Sequence, residues 1–287
     1  MAWEYRHGKA KKYYYKSRKV NGKVVKDYYG CGLTAELFAA LDAERKLIRD
    51  QARLECERQD ELDRQITEFC QAVDGIAIGL LVSRGYYRHK GNHSDWRKRR
   101  DFKQLVDLQI LEEIRMTLNT DGIDMKDIQE NLQQLVQQGE TNDANAIAAL
   151  QPIVKDVAIY ERAADLGKEV KSNLTFYMAG GDPAVQEKLL TEMALRTTAF
   201  LETVSASSPF EQHLFDLLAE EMEICRIQSR HADVMDARHS PQEPQQKRQD
   251  RAHKRYQNVI RTTAQVYKAL KGKPSLQVNL AQNQIVT

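Results

Sequence analysis

A polar turn between two runs rich in Tyr and Val near the N-terminus predicts a β-hairpin. Two runs rich in Tyr and Val, residues 13–20 and 23–29, flank the dipeptide Asn21-Gly22. This dipeptide favours a two-residue type I′ turn, because both of its positions need a positive φ. The turn sets the register of the hairpin, in which Tyr14 is expected to face Tyr29.

A third strand, at residues 3–6, is expected to join the hairpin, because an isolated hairpin is marginally stable at best. Gly30 and Gly32 end this sheet. Thr34 is a favourable N-cap for a helix that starts at residue 35 and runs to about residue 83.

The two halves of this long helix differ in pattern. The first half is rich in charge and has few apolar positions, so it is expected to protrude and to pair along a narrow seam as an antiparallel or dimeric helix. In the second half, apolar residues recur at spacings of four and three, which predicts a buried or coiled-coil seam. These residues are Leu62, Ile66, Phe69, Val73, Ile76 and Leu80.

Helical periodicity dominates the rest of the chain. The predicted helices cover residues 101–118, 124–138, 142–150, 153–178, 183–205, 209–238 and 245–271, with Gly and Pro between them. The expected fold is therefore mainly α, with a small N-terminal β-hairpin or three-stranded sheet, a long helix and then a multi-helix domain. The expected parts are a β module (1–33), the long helix (34–83), a basic aromatic loop (84–101), a helical domain (102–240), a C-terminal helix (245–272) and an extended tail (273–287).

Composition indicates the cellular compartment of the protein. No stretch approaches the roughly 20 uninterrupted apolar residues of a membrane span, and the basic N-terminus lacks the apolar core of a signal peptide. We therefore expect a cytoplasmic protein without a membrane partner. The four cysteines lack the CxxC spacing of a zinc site, and we expect free thiols.

Positive charge is concentrated in three segments, although the formal net charge of the 287 residues is only +2. Residues 1–30 have a net charge of +7, residues 84–103 of +6 and residues 245–273 of +8. The remainder of the chain must then carry −19. Such segregation favours contact with a polyanion at the basic segments.

Motifs for catalysis, cofactors and metals are absent from the sequence. It contains no GxxxxGK[ST], GxGxxG, HExxH or GxSxG, and His231 and His239 lack the spacing of metal ligands. We therefore predict no catalytic residues, no cofactor, no metal and no enzymatic activity. An enzyme without a linear motif is the weaker alternative.

Lys16, Arg18 and Lys26 are the candidate nucleic-acid contacts on the hairpin. A two-stranded ribbon fits the major groove, and its cations can neutralise phosphates while tyrosines stack or donate hydrogen bonds. The alternative is that the tyrosines pack the sheet on the long helix while the lysines form a solvated edge that prevents aggregation.

The loop at 84–101 is the second candidate, because aromatic and basic side chains together can stack on bases and wrap a backbone. The alternative is that Trp96 and Tyr87 anchor the loop while its arginines pair with carboxylates. For the C-terminal helix we favour a charged outer face on a packing helix. The candidate residues of the loop are Tyr86, Tyr87, Arg88, Trp96, Arg97, Lys98, Arg99 and Arg100.

Four stretches resemble a family of uncharacterised bacterial proteins often found beside mobile elements. They are YYYKSRKVNGKVVKDYYGCG, GYYRHKGNHSDWRKRR, AGGDPAVQEKLL and RQDRAHKRYQNVIRTTAQVYKAL with LQVNLAQNQIV. The resemblance spans nearly the whole chain and implies no activity. The hairpin is also similar to the three-stranded arm-binding modules of phage integrases and to leader segments of some transposases.

The leading functional hypothesis is a DNA-binding accessory protein, with DNA preferred over RNA as the partner. A helical oligomeric interaction or assembly scaffold is the alternative, and it predicts a homo-oligomer that forms through the helices. The two hypotheses differ in whether the cations meet phosphate or carboxylate.

Overall fold

The computed structural model describes residues 2–5, 12–88, 96–99, 125–140, 143–204, 206–238 and 243–271. The helix expected near 101–118, the tail at 273–287 and the candidate Arg100 lie outside these residues. The chain divides into two compact units, residues 1–61 and 62–287. Helices make up 79% of the described residues, which confirms the mainly α fold class with its small N-terminal sheet and long helix.

The N-terminal unit contains an antiparallel sheet of three strands. Their order is β1 (Ala2–Tyr5), β2 (Lys12–Val20) and β3 (Lys23–Cys31), so the expected third strand is present as β1. Asn21 and Gly22 connect β2 to β3 with φ values of 50° and 80°. The two positive values are those that the predicted type I′ turn requires.

A β-bulge between Tyr14 and Tyr15 makes the predicted pairing of Tyr14 with Tyr29 wrong. Tyr14 faces Gly30 instead, whereas Tyr15 faces Tyr28 as expected. A bulge places one extra residue in one strand, so the alternation of side chains between the two faces is interrupted there. Tyr13 and Tyr14 are accordingly both buried, although they are neighbours in sequence.

The long helix, α1, spans Leu33–Ser83 and so begins two residues before the predicted start. The amide of Glu36 donates to the carbonyl oxygen of Gly32 at 3.1 Å. Thr34 therefore lies in the first turn, and its predicted role as N-cap is wrong. Gly32 has a φ of 66°, a left-handed conformation that turns the chain from the sheet into the helix at little cost for glycine.

One face of the first half of α1 packs against the sheet. Ala35 is fully buried there, and the ring centroids of Phe38 and Tyr29 lie 4.9 Å apart. The hydroxyl of Tyr14 donates to the buried carboxylate of Asp42 at 3.1 Å. Hairpin tyrosines therefore hold the sheet on the helix, which is the packing role that the sequence offers as the alternative to nucleic-acid contact.

The second unit contains the C-terminal part of α1, a two-stranded ribbon and further helices. The ribbon consists of β4 (Tyr86–Arg88) and β5 (Trp96–Lys98), in a segment that the sequence predicts as a loop. Strands of three residues are too short to show alternation, so the pattern cannot reveal them. The helices are α2 (Met125–Glu140), α3 (Ala144–Ile153), α4 (Val157–Met178), α5 (Pro183–Thr203), α6 (Pro209–Arg238) and α7 (Glu243–Lys271).

Capping residues start two of these helices where the sequence predicts it. The carboxylate of Asp182, directly before Pro183, accepts a hydrogen bond from the amide of Ala184 at 2.9 Å. Ser208 caps α6 directly before Pro209 in a similar way. A proline at the first helical position loses nothing, because its missing N–H would have no partner inside the helix.

Gly139 and Pro152, which the sequence predicts as helix ends, lie inside α2 and α3. Gly139 serves close packing, because a Cβ at this position would come within 2.7 Å of Val82. Pro152 falls in the last turn of α3, where only one residue follows it in the helix.

The C-terminal half of α1 forms the centre of the second unit. Its seam is buried as predicted, and Ile66, Phe69 and Val73 have no exposed surface. Phe69 packs against Gly167 of α4, where an added Cβ would lie 2.8 Å from the ring. The close approach fixes the distance between α1 and α4, because neither a ring nor a helix backbone yields easily.

An 18-residue window of α1 is apolar enough by composition to cross a membrane. However, 67% of that window is buried inside the fold, as in the core helix of a helical bundle. The apolar run therefore has a packing role in the second unit.

Candidate nucleic-acid interface

The three candidate cations of the hairpin are already paired with carboxylates of the same unit. Lys16 Nζ lies 3.2 Å from Oδ1 of Asp42, and Arg18 Nε lies 2.7 Å from Oδ2 of Asp27. Lys26 pairs with a carboxylate on β1, that of Glu4.

These pairs differ in how firmly they hold the cation. The Asp42 carboxylate is 6% exposed, and burial opposes its ionisation, but the hydrogen bonds from Lys16 and Tyr14 hold the pKa of Asp42 below its usual range. Arg18 and Lys26 are more than half exposed, and such surface pairs contribute about 0–1 kcal/mol. A phosphate can therefore replace the carboxylate at Arg18 and Lys26 at little cost. Lys16, by contrast, is held by its ion pair with a buried carboxylate and is not available to a phosphate at the same low cost.

The β4–β5 ribbon is the second candidate, and most of its aromatic and basic side chains hold it in place. Arg88 lies over the ring of Trp96 at 5.2 Å from its centroid, and Arg99 lies over the ring of Tyr87 at 5.6 Å. The hydroxyl of Tyr86 donates to the carbonyl oxygen of Ala269 in α7. The ribbon is thus anchored to the end of α7.

Arg99 also donates through Nη2 to the carbonyl oxygen of Gly139 at 2.8 Å. The anchoring role that the sequence offers as the alternative therefore describes the aromatic residues and Arg99. The side chains of Arg97 and Lys98, by contrast, are exposed, and among the described residues neither side chain has a hydrogen bond or an ion pair.

Helix α7 carries a line of cations that sequence reasoning did not select. Lys254, Arg261 and Lys268 are all exposed and follow one another at intervals of seven residues. Seven residues make almost two turns of α-helix, so the three side chains share one face and are about 10.5 Å apart along the axis. We call Lys254, Arg261 and Lys268 the α7 stripe.

The opposite face of α7 repeats with the same period and packs on the core. Its buried residues include Ala252, Val259 and Val266. The sequence therefore contains the signal for the stripe, since apolar and basic positions each recur every seven residues. Within the part of the chain that the structure describes, none of the three side chains of the stripe has a hydrogen bond or an ion pair.

Other cations of α7 have structural partners. Arg255 Nη1 lies 2.6 Å from Oδ1 of Asp63, and Arg251 Nη2 lies 3.3 Å from Oδ2 of the same carboxylate. Burial opposes ionisation of Asp63, but the hydrogen bond and the charge of Arg255 hold its pKa below the usual range. These two arginines tie α7 to α1, which distinguishes them from the stripe.

The stripe and the ribbon meet at the C-terminal end of α7. Lys268 precedes Ala269, whose carbonyl oxygen accepts the hydrogen bond from Tyr86. Tyr86 pairs directly across the ribbon with Lys98. The exposed cations of the ribbon and the C-terminal end of the α7 stripe therefore lie in the same part of the second unit.

A cluster of ionisable groups lies in the core of the same unit. Glu221 is fully buried, and neither of its carboxylate oxygens has a hydrogen-bond partner among the described residues. Burial raises the pKa of Glu221, and the neighbouring Cys70 and Asp74 raise it further. Cys70 Sγ lies 3.5 Å from Cys225 Sγ, and both cysteines are free thiols.

This cluster does not have the arrangement of a metal centre. Within the described ranges, no group of three or more His, Cys, Asp or Glu side chains is placed to hold a metal ion. Glu221 and Cys225 have no exposed surface, so a substrate cannot reach them in this conformation.

Replacing Glu221 with methionine should stabilise the protein by about 1–3 kcal/mol at neutral pH, because it removes a buried polar group that has no partner. Since the pKa of Glu221 is raised in the folded state, the ionisation of Glu221 costs no stability below about pH 4.5 and costs more as the pH rises above it. The advantage of Glu221→Met should therefore become smaller in acid, as measured by urea unfolding at several pH values. Glu202→Met, at an exposed position of α5, is the control, and equal effects of both changes would contradict this prediction.

No family model matches the chain, and neither a curated protein nor a solved structure matches it.

Proposed function

We propose that the protein is a non-enzymatic, cytoplasmic nucleic-acid-binding accessory protein that binds the phosphate backbone, with DNA as the preferred partner. The observation that carries this proposal is the α7 stripe, a line of exposed cations without partners whose end adjoins Arg97 and Lys98 of the ribbon. The resemblance to a family found beside mobile elements supports a role in handling such DNA.

The length of the stripe suits a nucleic-acid backbone. From Lys254 to Lys268 it spans about 21 Å of helix axis. Double-stranded DNA presents one negative charge per roughly 1.7 Å of its axis, so every cation of such a line can find a phosphate. Because these side chains hold no partner in the described residues, they give up no ion pair when they bind.

The hairpin supplies a second and weaker contact in this proposal. Arg18 and Lys26 would exchange their exposed carboxylate partners for phosphate, as the low energy of such pairs allows. Tyr86, Tyr87 and Trp96 support binding indirectly, by holding the ribbon that presents Arg97 and Lys98.

Reversing the charge of the α7 stripe should weaken binding to a labelled DNA duplex. We expect Lys254→Glu/Arg261→Glu/Lys268→Glu to bind at least about tenfold more weakly at low salt than the wild type. The slope of log K against log salt should fall by about 3, because each lost phosphate contact removes about 0.9. Fluorescence anisotropy in increasing KCl, with a duplex and with a single strand of the same sequence, measures both quantities.

A matched control makes the same change in net charge elsewhere in the second unit. Lys155, Lys168 and Lys188 are exposed and lie outside α7 and the ribbon. Their replacement by glutamate should leave the salt slope nearly unchanged. If the wild type binds neither duplex nor single strand at low ionic strength, the proposed function is wrong; if both triple variants weaken binding equally, the stripe is not the contact.

A further inference from the structure

A pair of buried thiols lies between two helices of the second unit. Cys70 is on α1 and Cys225 is on α6, and their Sγ atoms are 3.5 Å apart. Cys225 has no exposed surface, and Cys70 is 8% exposed. Because the two cysteines are 155 positions apart in the sequence, their sulfur atoms come into contact through the packing of the core.

The distance between the two sulfur atoms is close to what a disulfide bond needs. An S–S bond is about 2.05 Å long, so the sulfur atoms must approach each other by about 1.5 Å. Cys56, the other cysteine of α1, lies about 21 Å from Cys70 along the helix axis, at a rise of about 1.5 Å per residue. The fold therefore selects Cys225 as the partner of Cys70.

Packing of α1 against α6 keeps the reduced pair unreactive. The thiolate, and not the thiol, attacks a disulfide. The hydrogen bond with Cys225 raises the pKa of Cys70, and burial raises it further. Cys70 therefore keeps its proton while the helices are packed, and a dissolved oxidant meets the pair when the two helices separate locally.

We propose that Cys70 and Cys225 are a site of reversible oxidation, at which a small-molecule disulfide converts the two thiols into an intramolecular disulfide between α1 and α6. The sulfur contact in the core carries this proposal, since it holds the second thiol beside the first. The site contains no residue of the α7 stripe or of the ribbon, so it is independent of the proposed nucleic-acid binding.

Two exchange reactions with oxidised glutathione balance the oxidation. The thiolate of one cysteine attacks a sulfur atom of the glutathione disulfide, whose S–S bond breaks, and one glutathione leaves and takes up the proton that the cysteine lost. The thiolate of the other cysteine then attacks the cysteine sulfur of this mixed disulfide and displaces the second glutathione in the same way. The two glutathione molecules thus carry away two electrons and two protons.

The disulfide should favour the folded state. In the unfolded chain it closes a long loop and removes conformational freedom, so the folded state becomes comparatively more stable. By the same thermodynamic cycle, the equilibrium constant for disulfide formation should be at least about tenfold larger in the folded chain than in the unfolded chain. Oxidation should therefore raise the urea midpoint of unfolding, and reduction should return it to its first value.

The test uses the full chain with Cys31→Ala/Cys56→Ala, which removes the two partly exposed thiols and leaves the buried pair intact. This variant is equilibrated with mixtures of reduced and oxidised glutathione, with and without a denaturing concentration of urea, and is then quenched in acid. N-ethylmaleimide blocks the remaining thiols in denaturant. Mass spectrometry of proteolytic fragments then measures the share of peptides linked through Cys70 and Cys225, which should be larger in the folded chain at every intermediate glutathione ratio.

Cys225→Ala in the same background is the matched control. It keeps Cys70 and should give glutathione adducts or free thiol, with no linked peptides within one chain. The wild type should give the same linked peptides as the double variant, with glutathione alone on Cys31 and Cys56. Far-ultraviolet circular dichroism shows whether each variant is folded, and the comparison of folded with urea-unfolded Cys31→Ala/Cys56→Ala does not depend on the control.

The proposal is overturned if the folded double variant keeps both thiols at glutathione ratios that oxidise the unfolded chain. It is equally overturned if the linked peptides of the wild type join other cysteines, or if oxidation leaves the urea midpoint unchanged or lowers it. DNA binding by the α7 stripe is measured separately, so each proposal can fail without the other.

Discussion

Replacing Phe69 with alanine should lower the free energy of unfolding by about 4 kcal/mol. Phe69 is fully buried at the centre of the second unit, and truncating such a ring removes its apolar burial and leaves a cavity. Unfolding in urea, followed by circular dichroism, measures the loss. Val185→Ala, at a site that is 43% exposed, is the control and should change stability by less than about 0.5 kcal/mol.

The contact of Phe69 with Gly167 makes this prediction sharper. Gly167→Val should cost about 3 kcal/mol in the wild type, because the new side chain would overlap the ring. In the Phe69→Ala protein the same change should cost at least about 1 kcal/mol less, since the cavity accepts the added carbons. Additive effects in the double variant would show that the two residues do not constrain each other.

Removing the carboxylate of Glu211 should destabilise the protein by about 3 kcal/mol at neutral pH. Glu211 is buried at the start of α6 and accepts hydrogen bonds from Arg84 at 2.8 Å and from Lys271 at 2.9 Å. It also accepts one from the amide of Ser207 at 2.9 Å. Glu211→Gln would leave two cations without their partner, one of them largely buried, and breaking a buried ion pair costs about 3–5 kcal/mol. We take the lower end because Arg84 reaches solvent.

The lowered pKa of Glu211 also predicts that the stability of the protein depends on pH. Burial opposes ionisation of Glu211, but the hydrogen bonds from Lys271, Ser207 and Arg84 lower its pKa from 4.5 to about 2. A pKa that is lower in the folded state means stability that is present above about pH 4.5 and is lost as the pH falls towards 2. The difference between wild type and Glu211→Gln should therefore shrink over this range. Glu202→Gln is the exposed control, and a difference that does not change with pH would contradict the role of the Glu211 charge.

Glu211 also matters for the proposed interface. Arg84 lies two residues before Tyr86 of the ribbon, and Lys271 lies two residues after Ala269, which accepts the hydrogen bond from Tyr86. One carboxylate therefore holds the chain on both sides of the contact between ribbon and helix. Loss of the Glu211 carboxylate should therefore disturb the position of Arg97 and Lys98, although Glu211 contacts neither residue.

The local chemistry of the chain was enough to predict most of its elements. Asn21-Gly22 specifies its turn through two positive φ values, and Asp182 and Ser208 cap their helices through hydrogen bonds to nearby amides. The seam from Ile66 to Leu80 follows from helical spacing. Each of these features depends on residues that are close in sequence.

Features that depend on distant residues could not be predicted in this way. The bulge at Tyr14 accompanies its hydrogen bond to Asp42, 28 residues away, and the hairpin pattern contains no sign of it. The pairing of Lys16 with the same carboxylate is equally nonlocal, so the sequence could not show that this cation is already engaged.

The geometry of the candidate interface also depends on residues that are distant in sequence. The sequence places Tyr86 and Trp96 in a basic aromatic segment, but their contacts with α7 and with Arg88 require the folded unit. The α7 stripe is visible in the spacing of Lys254, Arg261 and Lys268. Its exposure depends on which face of α7 packs, and that follows only once the neighbouring helices are in place.

The cysteines make the core of the second unit accessible to measurement. Cys70 on α1 and Cys225 on α6 are buried side by side, whereas Cys31 and Cys56 are partly exposed. A thiol reagent can label the buried pair only when the two helices separate, so its labelling rate reports the local opening of the folded state. Cys31 and Cys56 can react with the same reagent without any separation of the helices. Their labelling rate therefore serves as an internal standard for the labelling rate of Cys70 and Cys225.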